Sequence, residues 1–576
     1  MAKLVMEKIW RLTGYNADVA RHLQEVLKIH PIFCQLLAQR KVYTFDEAKQ
    51  FFRPQLSDLH NPFLMKNMDR AVDRVIQAFV KKEKILIYGD YDVDGTTSVA
   101  MLYDYLSKLH QPIDYYIPDR YREGYGVSYE GINYAIKNEV KLIITVDCGI
   151  SANKTIKFAQ DNGMDVIVCD HHLPKDELPP AYAILDPKQQ DCPYPYKELS
   201  GCGVAFKLIQ GINERLKRPF SECEALLDYL VISIASDIVD IMGENRILAF
   251  HGLQKLNNTE RLGLKMLIKR SGKELPLTIS DIVFGIAPII NAAGRLADAQ
   301  QAVRLLLANS KQAAVDLADL LERRNKIRRE FDQRIGEEAK SLFQTQHNWK
   351  DRKSVVLYQP HWHKGVVGIV ASRIADLYHR PTVILTESGG KIVGSARSVN
   401  GFNIHSAIQA CEDLLINYGG HDFAAGLTLF PGNVLAFQDR FEAAVSNTIE
   451  DETLLPTIEY AAILDLGEIK PKFWQILQQF APFGPGNQNP VFVSKHVIDS
   501  GYSKILKDQH LQLSIKQIES AVFQGIGFGL GQYFDYVQSK KPFHIIYNIQ
   551  NNRFQGHHYL QLAVKDLTTL NDLPKF

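Results

Sequence analysis

Three short apolar runs each end on an acidic residue, and this pattern constrains the chain more than any other feature. Ile85-Leu86-Ile87-Tyr88 runs into Gly89-Asp90, Lys141-Leu142-Ile143-Ile144-Thr145-Val146 into Asp147, and Asp165-Val166-Ile167-Val168-Cys169 into Asp170. Helical stretches separate them. Short apolar strands alternating with helices predict a parallel sheet in an α/β domain. In open parallel sheets ligands bind beyond the carboxyl ends of the strands, at the switch point of the strand order. Three acidic strand ends can therefore converge on one site.

The densest chemistry is Gly89-Asp90-Tyr91-Asp92-Val93-Asp94-Gly95-Thr96-Thr97-Ser98. Carboxylates at every second position of an extended segment project to one side. Such a concentration of negative charge is costly unless cations neutralise it. Gly95 permits a sharp turn, and Thr96, Thr97 or Ser98 can cap a following helix. A calcium loop opens the same way, but no Glu follows at its twelfth position and the preceding segment is a buried strand. The third strand continues as Asp170-His171-His172-Leu173-Pro174, and Asp237 in Ile234-Ala235-Ser236-Asp237-Ile238-Val239 is a fourth candidate. An Asp-His-His triplet alone reads as a turn or a helix cap. Downstream of two acidic strand ends it reads as part of a metal site. Carboxylates with one or two imidazoles and no paired thiolates favour Mn²⁺ or Mg²⁺ over zinc. Cys148 and Cys169 should point away as buried thiols.

With 576 residues the chain exceeds a single core and is expected to form about three or four domains. Its 46% apolar and 23% charged residues are ordinary for a globular protein, so neither a fibrous nor a disordered class fits. A net charge of +1 means that any nucleic-acid contact needs a local basic surface. The seven cysteines include no C-x-x-C pair, which favours reduced thiols. No run reaches about 18 apolar residues, and the start lacks an apolar segment before a cleavage site. No membrane association and a cytoplasmic address are therefore expected.

Residues 1–80 are expected as an N-terminal helical segment packing on the catalytic domain, residues 81–310 as that α/β domain, and 311–345 as a connecting helix. Its charged stretch Glu322-Arg323-Arg324-Asn325-Lys326-Ile327-Arg328-Arg329-Glu330 reads first as a solvated face, with a DNA-facing one as the alternative. A second α/β domain spans 346–450, and alternating segments over 451–576 suggest a small β-barrel.

Asp90-Tyr91-Asp92-Val93-Asp94-Gly95-Thr96, Asp170-His171-His172 and the isolated Asp237 resemble the signature set of the DHH phosphoesterases. The resemblance implies that Asp92, Asp94, Asp147, His171 and Asp237 hold two metal ions, with Asp90 joining them and His172 completing the catalytic set. Two ions about 4 Å apart would activate water and clamp a phosphoryl group. Ile117-Pro118-Asp119-Arg120-Tyr121-Arg122-Glu123-Gly124-Tyr125-Gly126 is similar to a motif of the RecJ family within this superfamily. Here Arg120 can clamp a phosphate and Tyr125 can stack on a base, although a Gly-rich loop stiffened by an Arg–Glu pair is the alternative. Leu199-Ser200-Gly201-Cys202-Gly203 and Pro288-Ile289-Ile290-Asn291-Ala292-Ala293-Gly294-Arg295-Leu296 also resemble that family and imply substrate contacts at Asn291 and Arg295. Ile289 and Asp240 depart from its usual pattern.

Trp362-His363-Lys364-Gly365 through Arg373, then Gly394-Ser395-Ala396-Arg397-Ser398 and Tyr418-Gly419-Gly420-His421, look like the DHH-associated substrate-binding domain. They imply contacts from His363, Arg373, Ser395, Arg397, Ser398, Gly419, Gly420 and His421. Ala481-Pro482-Phe483-Gly484-Pro485-Gly486-Asn487-Gln488-Asn489-Pro490 is similar to the entry to the family's OB domain, where aromatics stack on bases; Phe492, Tyr502, Phe523, Phe528 and Phe554 are available. The implied fold is a multidomain α/β chain: parallel-sheet DHH domain, long connecting helix, second α/β DHH-associated domain and C-terminal OB-type β-barrel. The implied activity is 5′→3′ exonucleolytic hydrolysis of single-stranded DNA to 5′-mononucleotides in recombination and repair. A single-strand-binding protein and a helicase are the implied partners of a monomeric enzyme. Polarity and DNA over RNA come from the resemblance alone. The alternatives are a DHH phosphodiesterase acting on short oligonucleotides or cyclic dinucleotides, and a non-catalytic replication scaffold of the same fold.

Overall fold

A computed structural model describes residues 8–569 except 297, 347, 508, 519, 555 and 556, and the backbone alone at 296, 553, 554, 557 and 558. Two compact units result. One comprises Arg11–Gly294, Asp298–Leu321 and the stretch from Glu459 onward; the other comprises Glu322–Ile458 together with Arg295.

In the first unit, strands β1 (Ile85–Gly89), β2 (Ile113–Tyr116), β3 (Leu142–Val146), β4 (Asp165–Cys169) and β5 (Ala183–Leu185) form a parallel sheet in the order β2-β1-β3-β4-β5. The direction of winding reverses between β1 and β3, which makes their carboxyl ends the switch point. The register sets Gly89 beside Val146 and Val146 beside Cys169, so Asp90, Asp147 and Asp170 leave the sheet at one level. Alternate strand residues feed two apolar layers. Ile85, Ile87, Ile144 and Ile167 pack with helices Met68–Lys81, Val93–Leu106 and Gly201–Arg215; Leu86, Tyr88, Ile143 and Val166 pack with Tyr129–Lys137 and Asn153–Asp161. Apolar layers on both faces explain why the strands are continuous apolar runs rather than alternating ones. Cys148 and Cys169 are fully buried, one in each layer.

The second unit holds a mixed sheet of β6 (Val355–Tyr358), β7 (Thr382–Ser388), β8 (Lys391–Arg397), β9 (Leu415–His421) and β10 (Ala424–Leu429) in the order β9-β10-β8-β7-β6. The 35-residue helix Lys311–Thr345 leads into it. Its charged stretch is not a wholly solvated face, because Asn325 within it is only 5% exposed.

Towards the C-terminus lie β11 (Phe492–Asp499), β12 (Lys504–Leu506), β13 (His510–Lys516), β14 (Phe523–Gly527), β15 (Phe543–Phe554) and β16 (His557–Thr569). Strand β11 bonds to β15 and, through Ile498 and Asp499, to β13, so the pairings β11-β15-β16-β14-β13 return to β11.

The N-terminal segment divides between two cores. Leu23, Phe33, Leu36 and Phe51 of the helices Ala17–Leu27, Pro31–Gln39 and Phe45–Phe52 join Phe473, Phe480, Phe492 and Leu511 in a core common with the barrel, whereas Met65 and the helix Met68–Lys81 belong to the catalytic layers, with Leu56, Leu59 and Phe63 packed against them. An amphipathic helix announces that it covers something, but its sequence does not say what. Phe480 lies within 6 Å of three rings, Phe33 (5.9 Å), Phe51 (5.5 Å) and Phe52 (5.2 Å). Phe480→Ala should therefore cost about 3–5 kcal/mol in denaturant unfolding of the full chain. A loss below about 1 kcal/mol, typical of a surface site, would show that helices and barrel do not share a core.

Candidate metal centre

Asp90 follows β1 and is 2% exposed. The extended backbone ends at Asp92, which caps the helix Val93–Leu106 by accepting from the Gly95 amide at 3.0 Å. Asp94 thus sits in the first helical turn rather than on an extended segment, which corrects the expectation of three alternating carboxylates on one side. The turn distributes them between two groups. Asp90, Asp92 and Asp147 each offer an oxygen, all within 4.8 Å of one another; Asp94, His171 and Asp237 form a second such group. The two groups meet where His171 Nε2 stands 3.3 Å from Asp147 Oδ1, 3.6 Å from Asp237 Oδ2 and 3.9 Å from Asp94 Oδ2.

Asp94 and Asp147 are held from behind. The Asp94 carboxylate accepts from the Gly201 and Cys202 amides (2.7 and 2.8 Å) and from the Ser233 hydroxyl (2.7 Å). It lies at the positive end of the helix Gly201–Arg215, which favours a carboxylate. A Cβ at position 201 would fall 2.7 Å from Asp147 Cβ and Oδ1, so only glycine lets this helix approach so closely. Asp147 itself adopts a left-handed backbone, φ 58°. Such local strain persists where surrounding structure over-determines it.

Asp170 does not face the cluster. It accepts from the amides of Ile150, His171 and His172 and from His172 Nδ1 at 2.7 Å, fixing both histidines. His172 stands at the rim, its Nε2 3.2 Å from the Tyr125 hydroxyl, and is close enough to join Asp147 and His171 around an ion. Sequence reading missed Ser233 and the Gly201 amide, whose roles exist only through tertiary contact. It also missed Asp186. That residue ends β5 as Asp90, Asp147 and Asp170 end their strands, and burial pushes it up to about 7. The run Ala183-Ile184-Leu185 was too short to register as a strand.

Burial, then the charges of neighbouring carboxylates, raises Asp90, Asp147 and Asp237 well above the ordinary range, and raises Asp92 as well. Burial also lowers His171. For His172 burial opposes the charge, but the bond to Asp170 and its negative charge outweigh this and push it up to about 9. Asp90 Oδ1, Asp237 Oδ2 and both ring nitrogens of His171 are buried without a hydrogen-bond partner. A buried polar atom left unsatisfied costs about 1–3 kcal/mol. Divalent cations would satisfy these atoms, and a set of carboxylate oxygens with imidazole nitrogen and no thiolate suits Mn²⁺ or Mg²⁺.

The expected substrate contacts divide. Arg120 lies over the Tyr91 ring at 4.9 Å, and Tyr125, 59% exposed, meets Tyr91 and His172 edge-on. Asn291 is half-buried on the helix Ala287–Leu296. In the second unit Arg295 Nη1 donates to the Gly365 carbonyl at 3.3 Å. Register places Arg397, Ala424 and His421 in one row across β8, β10 and β9, and Ser395, Gly426 and Gly419 in the next. A Cβ at Gly419 or Gly426 would meet nothing within 4 Å, whereas one at Gly420 would clash with the Ala424 carbonyl oxygen, so Gly419 and Gly426 form an open floor edged by Ser395, Arg397 and His421. Arg397 donates to Ser395 Oγ at 2.9 Å. His363 stacks on Phe331.

Arg373 pairs with Asp332 on the long helix at 2.6 Å, and the Ser398 hydroxyl donates to the Phe402 carbonyl at 2.6 Å, so each also has an internal partner that no linear motif reveals. In the barrel Phe492 is fully buried and Phe523 half-buried in the core; Tyr502 and Phe528 are 81% and 70% exposed. The side chain of Phe554 lies outside the described residues.

Residues 84–234 match the DHH family, N-terminal domain; 351–447 match the DHHA1 domain; 460–566 match the RecJ OB domain. With the acidic cluster at the sheet's switch point, these matches define a metal-dependent phosphoesterase of the DHH class. The chain is 36% identical over 561 residues to the single-stranded-DNA-specific exonuclease RecJ of Bacillus subtilis, covering 97% of this chain and 70% of that protein. It is 31% identical to the RecJ of Haemophilus influenzae, covering 94% of this chain and 97% of that one. Its fold is similar to the crystal structure of RecJ in complex with Mn²⁺ from Thermus thermophilus, with a TM-score of 0.83 and 27% identity over 97% of this chain and 79% of that one. The chain belongs to the RecJ family.

Raised carboxylates mean that the folded, metal-free protein holds protons that the unfolded chain has already released. Its stability therefore falls as pH rises from the ordinary carboxylate range through the raised values. The melting temperature in EDTA should drop with rising pH, and the gap to the Mn²⁺-loaded protein should widen. Asp147→Asn should flatten the EDTA profile and shrink the Mn²⁺ response; parallel profiles for wild type and variant would contradict this electrostatic picture.

Proposed function

We propose that the protein is a single-stranded-DNA-specific exonuclease that hydrolyses phosphodiester bonds at the acidic cluster, working 5′→3′ and releasing 5′-mononucleotides. The observation that carries this reading is the pair of donor groups meeting at Asp147 and His171, at the ends of three parallel strands. Asp90, Asp92 and Asp147 would hold one divalent ion, and Asp94, His171 and Asp237 a second. Such ions neutralise phosphoryl oxygens and lower the pKa of water, which makes hydroxide available near neutral pH.

The chain's own residues supply orientation. Asp170 holds His172 Nδ1 at 2.7 Å, which fixes the orientation of the imidazole at the rim of the site. Arg120, braced over Tyr91, presents a planar fork to a backbone phosphate, and exposed Tyr125 offers a ring face to a base. On the second unit's open floor, Ser395, Arg397 and His421 offer donors to a further phosphate. Tyr502 and Phe528 on the barrel can stack on bases downstream. Among the described residues no helix is long and apolar enough to cross a membrane. We place the enzyme in the cytoplasm, with a helicase and a single-strand-binding protein delivering its substrate.

The small-substrate phosphodiesterase is the less favoured reading, because cyclic dinucleotides have no use for a barrel with exposed stacking rings. Digestion of end-labelled 40-mers, duplexes and dinucleotides separates the two. With Mn²⁺, 5′-labelled single strands should yield labelled mononucleotide from the first time point, His171→Ala should yield none, and duplex should persist. Faster turnover of dinucleotides than of 40-mers, or label released first from the 3′ end, would overturn the proposal.

A further inference from the structure

Asp237 Oδ2, like Asp90 Oδ1 and the His171 ring nitrogens, has no hydrogen-bond partner, so its position depends on the backbone that carries it. That backbone is unusual. Asp237 ends the helix Leu227–Ser236, and Ile238 follows with φ 61° while 68% exposed. A β-branched residue in the left-handed region is a genuine outlier, so something beyond local preference must fix the segment.

The fixing contacts come from the entry to the barrel. The Ile241 amide donates to the Pro485 carbonyl at 2.7 Å. A Cβ at Gly484 would fall 2.5 Å from Ile241 Cγ1, and one at Gly486 3.0 Å from Asp240 Cγ. The loop therefore presses directly on residues three to five positions beyond the ligand. From the catalytic side, the Tyr196 hydroxyl and Asn245 Nδ2 donate to the Asp240 carbonyl at 3.2 and 3.0 Å.

The loop is itself gripped by two arginines. Arg246 donates to the carbonyls of Phe51, Gln479, Phe480 and Ala481 over 2.8–3.2 Å, and its guanidinium lies 3.7 Å from the centre of the Phe51 ring. Arg40 donates to Asn487 Oδ1 at 2.6 Å and to the Gln488 carbonyl at 2.7 Å. Asn487 Nδ2 closes the loop internally on the Phe480 and Pro482 carbonyls. Burial lowers Arg40 to about 10 and Arg246 to about 9, a cost set against bonds to uncharged oxygens and the rings of Phe480 and Phe51. Nothing in the hydrolytic chemistry uses either arginine.

We propose that the loop Phe480–Gln488, gripped by Arg40 and Arg246, is a positioning element of the metal centre that fixes Asp240–Met242 and through them the carboxylate of Asp237. The barrel's entry thereby becomes part of the ion site as well as a route for the strand. This rests on the reading of Asp237 as a ligand.

The test uses full-length protein carrying Gly484→Ala, with Arg246→Lys as a second variant should the first be poorly folded in EDTA. Binding of Mn²⁺ alone is followed by calorimetry and by the Mn²⁺-induced rise in melting temperature, beside kcat and KM on a dinucleotide and a 40-mer. Partners that orient ligands typically carry about 10-fold or more in metal affinity. Gly484→Ala should weaken Mn²⁺ binding by about that factor and lower kcat on both substrates, with KM for the 40-mer little changed. Arg246→Lys should act in the same direction. Wild-type Mn²⁺ affinity with only a raised KM for the 40-mer would overturn the proposal and leave the loop as a strand-binding element. Asp237→Asn separates the two ideas. If it weakens Mn²⁺ binding and Gly484→Ala does not, only the positioning role falls; if neither does, the ligand assignment falls with it.

Discussion

Five aspartates and a histidine converge in a largely buried volume, and charges of like sign cannot stay there unaided. Burial and mutual repulsion raise Asp90, Asp92, Asp147 and Asp237, while His171 is driven towards its neutral form. The resulting site is poised to take up cations and is costly without them. The surrounding structure can be understood as what is needed to hold such a cluster together before ions arrive. Three parallel strands bring Asp90, Asp147 and Asp170 to one level, and the amide end of the helix Gly201–Arg215 binds Asp94.

Support behind the donors extends outward in shells of decreasing obviousness. Asp170 orients both histidines without facing the cluster, and Ser233 completes the grip on Asp94. Beyond them, Arg246 and Arg40 spend buried positive charge on the loop that abuts the Asp237 segment. The shared core of N-terminal helices and barrel gives that loop something rigid to stand on. Rigidity at this distance matters because metal chemistry tolerates little misplacement of its ligands.

The sheet was legible because its strands, covered on both faces, are continuous apolar runs ending on Asp. Strand β5, with three residues, carried too little pattern, and Asp186 went unnoticed with it. The acidic site was legible from residue type and position at strand ends. Its internal division was not, because the start of the helix at Val93 decides which way Asp94 points, and D-x-D-x-D reads equally as extended. Arg373 and Arg397 look alike in a linear motif, yet Arg373 pairs with Asp332 on the long helix and Arg397 bonds within its own strand, to Ser395 Oγ and the Ala396 carbonyl. The helices before residue 53 showed an apolar face but not which surface it would meet. Contacts between segments hundreds of residues apart, such as Arg246 with Ala481, leave no local trace.

The central claim is that one buried cluster holds two divalent ions in two donor groups joined at Asp147 and His171. Crystals grown with Mn²⁺ and measured at its absorption edge test this directly. Two anomalous peaks are predicted, one among Asp90, Asp92 and Asp147 and the other among Asp94, His171 and Asp237. A single peak, or peaks away from these side chains, would contradict the account.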